Sequence, residues 1–262
     1  MNLSDIIRSL EDLAPPELQA SYDNAGLITG HPDDPVQGIL VSLDCTEAVV
    51  DEAIQKGVNL IVSHHPLVFE GMKTFTADHY VTRALLKAIR HNIALYAIHT
   101  NLDAVADGVN GMLAGKLGLN NPVILQPDGP GSLTGSGMIG ELSSRISEME
   151  FMSHVKHQLE VPCLRHSPIT GKMVKRVAIC GGSGGFLLDE AIRRGADVMV
   201  TADLKYHGFF DADGKILLVD AGHFETEQFT QDLIVGYLKE KFPNFAVLFK
   251  TETNTNPVNY LV

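Results

Sequence analysis

Three short patterns in this 262-residue sequence carry the residue types of metal chemistry. A tandem pair, His64-His65, stands directly before Pro66; His99 is followed four positions later by Asp103, and His223 four positions later by Glu227. Imidazole is largely neutral at pH 7 and suits zinc, iron, nickel or manganese, whereas a carboxylate can bridge two cations. Neighbouring histidines in a rigid turn diverge, so each can serve a different ion. The spacing of His99 with Asp103, and of His223 with Glu227, puts both side chains on one face of a helical turn. Three or more histidines with two carboxylates suit a pair of divalent ions about 3.5–4 Å apart. Each pattern is weak alone; the set gains weight only where one fold brings it together.

The elements that must position these residues are readable as alternating units. Gly38–Leu43 (GILVSL) predicts a buried strand, Thr46–Lys56 a helix closed by Gly57, and Asn59–Ser63 a strand running into His64-His65. Tyr80–His91 predicts an amphipathic helix and Ala94–Ile98 a strand running into His99. Such alternation implies parallel strands with helical crossovers, and ligands of open α/β sheets bind beyond the carboxyl ends of the strands.

The pattern recurs. Asp51–His65 (DEAIQKGVNLIVSHH) and Asp189–Asp203 (DEAIRRGADVMVTAD) match without a gap at six of 15 positions, and Ile39–Ser42 and Val177–Cys180 fall in the same register before them. Ala94–Asp103 is answered by Ile216–Glu227, each an apolar strand leading to a histidine and then a carboxylate. The expected fold is α/β, with two similar α/β halves packed around a central cleft and mixed or parallel sheets with helical crossovers. The halves are expected at residues 1–122 and 173–262. Residues 123–172, with the cluster PDGPGSLTGSG and a helical stretch around Ser147–Leu159, are expected to form a connector or small subdomain.

Other segments stand near the same strand ends. Tyr22–Leu27 (YDNAGL) is a turn that brings Asp23 and Asn24 forward as substrate-binding candidates. In Ala202–His207 (ADLKYH), Lys205 could meet an anionic substrate and His207 could move a proton. Gly181-Gly182-Ser183-Gly184-Gly185 either exposes backbone N–H groups to phosphate or allows close backbone packing. It has neither the Lys-Ser/Thr of a Walker loop nor the dinucleotide spacing. Cys45, Cys163 and Cys180 are too few and too scattered for a disulfide framework, and no G-x-S-x-G elbow is present.

Composition narrows the partners. Twenty basic against 32 acidic residues give a net charge of −12, which argues against nucleic acid or an anionic membrane surface as partner. No apolar run approaches the roughly 18 residues of a membrane span. Met1–Leu13 has its leucines and isoleucines at helical spacing, interrupted by charges, unlike the apolar core of a signal peptide. A cytoplasmic location is expected.

At YDNAGL, SHHP, HTNLD, ADLKYH and GHFETE, in this order, the sequence resembles the NIF-three-like (NGG-interacting-factor-like) family, whose bacterial members are commonly named GTP cyclohydrolase I type 2 homologues. The resemblance spans nearly the whole chain. It implies two α/β lobes, two divalent metal ions per chain (zinc, iron or manganese) in the cleft between them, and a ring-shaped homohexamer. Carried over by position, the ligands are His64, His65, Asp103 and His223, with Glu227 bridging, while His99 stands beside the metals. Tyr22 replaces a frequent Trp and Ala202 a usual Gly, which puts the shape of the substrate pocket in doubt.

A metal-dependent hydrolase of a nucleotide-like small molecule is the leading expectation, with His99 or His207 as proton shuttle. The alternative is a non-catalytic metal-binding scaffold or interaction protein. An open coordination position distinguishes the two, because structural sites are closed.

Overall fold

The computed structural model describes residues 1–245 and 247–261. Its elements run, in chain order, α1 (Leu3–Leu13), β1 (Gly26–Thr29), β2 (Ile39–Ser42), α2 (Glu47–Lys56), β3 (Leu60–Ser63), α3 (Tyr80–Arg90), β4 (Ala94–Ala97), α4 (Thr100–Ala104) and α5 (Val109–Lys116). They continue with β5 (Asn120–Pro127), β6 (Gly135–Ser147), α6 (Glu148–Gln158), β7 (Arg165–His166), β8 (Met173–Ile179), α7 (Leu188–Arg193) and β9 (Val198–Thr201). The last are β10 (Leu217–Asp220), α8 (His223–Glu227), α9 (Thr230–Lys241) and β11 (Leu248–Lys250).

Local chemistry sets the boundaries. The Thr46 hydroxyl accepts the amide of Val49 and opens α2, and Gly57 closes it in the left-handed region at φ 66°. Ser147 and Glu150 cap α6 reciprocally. After the glycine loop the chain makes a 3-10 turn at Gly185–Leu187 and becomes α-helical from Leu188.

The chain forms two compact units: Met1–Leu102 with Thr230–Pro257, and Asp103–Phe229 with Val258–Val262. In the first, a five-stranded sheet has the order β1-β4-β3-β2-β11. Its strands are parallel except β1, which runs antiparallel along β4. Leu40, Ile61 and Leu95 of the sheet pack with Val50 and Ala53 of α2 and Leu85 of α3. In the second, the order is β5-β6-β8-β9-β10-β7, with β8, β9 and β10 parallel and the others antiparallel to their neighbours. Alternation along its strands fills two cores: Val198 and Val200 face Phe151 and Val155 of α6, while Met199 faces Leu188 and Ala191.

The internal repeat therefore has a structural counterpart inside each unit. β2-β3-β4 and β8-β9-β10 are both parallel triplets, each with an antiparallel edge strand on its third member. The unit boundaries differ from the expected 122 and 173. Residues 128–134, within the Pro/Gly cluster, are the hairpin turn between β5 and β6, and the expected connector supplies strands of the second sheet. Glycine is required in that hairpin: a Cβ at Gly135 would meet the Gln126 carbonyl at 2.2 Å. The chain then returns, and α9 and β11 complete the first unit. No helix among the described residues is long and apolar enough to cross a membrane.

After β11 the chain continues along β2, with the Thr251 amide donating to the Val41 carbonyl. The Glu52 carboxylate, buried on α2, accepts from the hydroxyls of Thr251 and Thr253 and from the amides of Glu252 and Thr253. Burial alone pushes the Glu52 carboxyl up, but these bonds outweigh it and hold the group below its ordinary range. Glu52→Ala is expected to lose about 3 kcal/mol in urea denaturation at pH 7, because it strands several buried donors. A variant as stable as wild type contradicts this account of the C-terminal strap.

Candidate metal centre

In the first unit the end of β3 carries the histidine pair. The backbone ladder extends past the strand, His64 N donating to the Ser42 carbonyl and His65 N to the Leu43 carbonyl, before Pro66 ends it. The His64 ring is fully buried and its Nδ1 lies 2.8 Å from the Ile98 carbonyl. The His65 Nδ1 lies 2.8 Å from Oδ1 of Asp44, at the end of β2. His99, at the end of β4, has Nδ1 2.7 Å from Oδ1 of Asp23. These acceptors fix the Nδ1–H tautomer, in which Nε2 carries the lone pair. A ring nitrogen from each of His64, His65 and His99 lies within 4.8 Å of the other two.

The YDNAGL turn is thus tied to His99. Both Asp23 oxygens are engaged: one by His99, the other by the amide and hydroxyl of Thr100. The Asp23 side chain is out of contact with solvent. Burial pushes its carboxyl up, but the hydrogen bonds from His99, Thr100 and the Asn24 amide hold it well below the usual carboxylate range. Asn24 donates from Nδ2 to the Val68 carbonyl at 2.6 Å.

In the second unit α8 places His223 and Glu227 one turn apart, Nε2 to Oε2 at 3.0 Å. The His223 Nδ1 lies 2.7 Å from Oδ2 of Asp203. Asp203 follows β9 in the left-handed region at φ 57°, unusual for a residue with a side chain. Its loop is pinned from beneath: Leu204 N donates to Asp220 Oδ2, and the Arg165 guanidinium donates to the Leu204 carbonyl. Asp103 opens this unit, its carbonyl accepting from Asn110 Nδ2. Burial pushes the Cys180 thiol up, and the negative Asp103 and Glu227 push it further, which also places both carboxylates near Cys180.

The glycine loop serves packing. The amides of Gly181, Gly182 and Gly184 donate to Asn110, Thr226 and Thr201 side chains, so they are committed inside the unit. A Cβ at Gly182 would meet Glu227 Oε1 at 2.3 Å, so glycine here leaves the space that Glu227 fills. Lys205 and His207 are exposed, and the His207 ring is edge-on to Tyr206 at 5.1 Å. Burial and Asp44 push the Cys45 thiol up to about 12; Cys163 is exposed. Neither buried thiol is a ready thiolate ligand.

In the first unit the ring nitrogens of His64, His65 and His99 lie close enough together to hold a divalent cation, which suits their imidazole chemistry. Sequence reasoning missed the orienting carboxylates Asp44 and Asp203. Their one signal was a place just beyond a strand end, beside a histidine-bearing strand.

The model of the Duf34/NIF3 (NGG1p interacting factor 3) family matches residues 1–257. A Clostridium perfringens protein named "GTP cyclohydrolase 1 type 2 homolog" is 37% identical over 264 aligned residues, covering 100% of both chains. A Streptococcus pneumoniae protein of the same name is 33% identical, again over 100% of both. The crystal structure of a Bacillus cereus protein related to NIF3 superposes with a TM-score of 0.94 at 27% identity, covering 100% of this chain and 99% of that one.

The geometry of Asp23 has a measurable consequence. Asp23→Asn is expected to lose about 2 kcal/mol in urea denaturation at pH 7, because charge-assisted bonds to His99 and Thr100 are replaced by weaker ones. A carboxyl whose folded pKa is depressed stabilises fully above its unfolded pKa, about 3.9, and less as pH falls toward the folded value. The wild-type advantage should therefore be full above about pH 5 and shrink below about pH 4. A difference that stays constant down to pH 3 contradicts the assignment.

Proposed function

The chain belongs to the Duf34/NIF3 family, and from that premise we propose that it is a dinuclear metal-dependent hydrolase acting on a nucleotide-like small molecule. His64, His65, Asp103 and His223 are the ligands in this reading, with Glu227 bridging two divalent ions of zinc, iron or manganese. One observation carries it: the rings of His64, His65 and His223 each have Nδ1 held by a fixed acceptor, the arrangement that directs Nε2 to a cation. When bound, such a pair supplies Lewis acidity and activates water near pH 7. Five ligands, one of them shared, leave about three protein contacts per ion and hence an open position.

The remaining roles fall to the chain's own groups. Asp23 orients His99, whose Nε2 takes the proton from the attacking water and returns it to the leaving group. His207 is the second candidate for proton transfer, exposed beside Lys205, whose ammonium suits a substrate phosphate. Asn24 borders the Asp23 turn as a polar contact for substrate. The names of the Clostridium and Streptococcus relatives point to opening of the guanine imidazole ring. In that reaction one water adds to the ring carbon and breaks the first C–N bond to leave a formamide, and a second water breaks the other C–N bond to release formate and the amine. A homohexamer is part of this reading, as is a cytoplasmic setting, which suits three free cysteines.

Metal-loaded protein should release formate from GTP or another purine nucleotide in a chromatographic screen. His99→Ala should lower turnover about 100-fold or more while retaining its metals, and His207→Ala tests the second shuttle in the same way. Retained metal with no turnover on any nucleotide would overturn the hydrolase reading in favour of a metal-binding scaffold.

A further inference from the structure

The strap that follows β11 does more than close the first unit. In Thr251-Glu252-Thr253-Asn254-Thr255 the threonines alternate, and each hydroxyl lands on a carboxylate. Thr251 and Thr253 meet Glu52, which is a matter of stability. Thr255 reaches a different group: its Oγ1 donates to Asp44 Oδ2 at 2.6 Å, across 211 positions of sequence. The other oxygen of Asp44, Oδ1, is the one 2.8 Å from His65 Nδ1.

We propose that Thr255 is a positioning residue for His65, acting through Asp44; the proposal rests on the metal reading given above. The physical argument concerns one torsion. The carboxylate plane of an aspartate turns easily, since its terminal torsion is broad and roughly two-fold. Asp44 retains 32% of its side-chain exposure, so water competes for both oxygens. A hydroxyl on Oδ2 fixes the plane and leaves Oδ1 aimed at the imidazole. The His65 ring then keeps its proton on Nδ1 and its lone pair on Nε2, the orientation a cation needs. Thr255 itself is half-buried. The C-terminal segment of the first unit thereby reaches a histidine near its middle.

Two readouts test this, one of them independent of metal. In metal-free protein, long-range nitrogen–proton NMR reports the His65 tautomer: wild type should show Nδ1–H, Thr255→Val a mixture with Nε2–H, and Thr255→Ser the wild-type form. Titration with divalent cobalt should give a Kd about tenfold weaker for Thr255→Val, the lower end of what loss of an outer hydrogen-bond partner does to a metal site, with recovery in Thr255→Ser. Thr251→Val is the control for a loosened strap: it should lower the melting temperature and leave the cobalt Kd unchanged. A Thr255→Val protein with the wild-type tautomer and Kd overturns the proposal while the metal reading stands. A wild-type protein that takes up no cobalt overturns the metal reading, and the tautomer measurement then decides the positioning role by itself.

Discussion

An imidazole has two nitrogens and, when neutral, one proton, so it serves a cation through one nitrogen only if the other is committed elsewhere. Left in water, the ring would sample both tautomers and rotate about its side-chain torsions. Three acceptors stand just past strand ends, the Ile98 carbonyl for His64, Asp44 for His65 and Asp203 for His223, and the fourth, Asp23 for His99, stands in the turn before β1. The parallel triplet of each sheet brings neighbouring strand ends into register, which sets His64, His65 and His223 beside their acceptors.

Meeting that constraint shapes the backbone nearby. Asp203 adopts a left-handed conformation, which for a residue with a side chain costs roughly 1–2 kcal/mol. Arg165 and Asp220 hold its loop in return. Gly182 is glycine because Glu227 occupies the place of its Cβ. In the first unit the strap that follows β11 directs the hydroxyls of Thr251 and Thr253 to Glu52 and that of Thr255 to Asp44, so a segment without regular structure is tied to two carboxylates.

Much of the fold is legible in the sequence because its signals are local. Thr46 and Gly57 bracket α2 by capping chemistry, and the apolar runs before His64 and His99 are strands because they are short, β-rich and bounded by turns. The unit boundaries are less legible, since Pro and Gly mark a hairpin turn as readily as a linker, and PDGPGSLTGSG is a hairpin. Nor does composition reveal that β11, three residues long, returns to β2. At the site, histidines are conspicuous because they stand at strand ends. The orienting carboxylates are two among 32 acidic residues, and only the register of neighbouring strands singles out Asp44 and Asp203. Gly181 to Gly185 illustrates the same limit: the sequence allows an anion cradle or close packing, and the hydrogen bonds to Asn110, Thr226 and Thr201 decide for packing.

The account stands or falls on whether these residues hold a pair of ions. The most direct measurement is elemental analysis of metal per chain, on wild type and Glu227→Gln purified without chelator. If Glu227 bridges a pair of ions, wild type holds about two divalent ions per chain and the variant shows a clear loss. Wild-type protein that holds no metal after exposure to an excess of zinc, iron and manganese would contradict it.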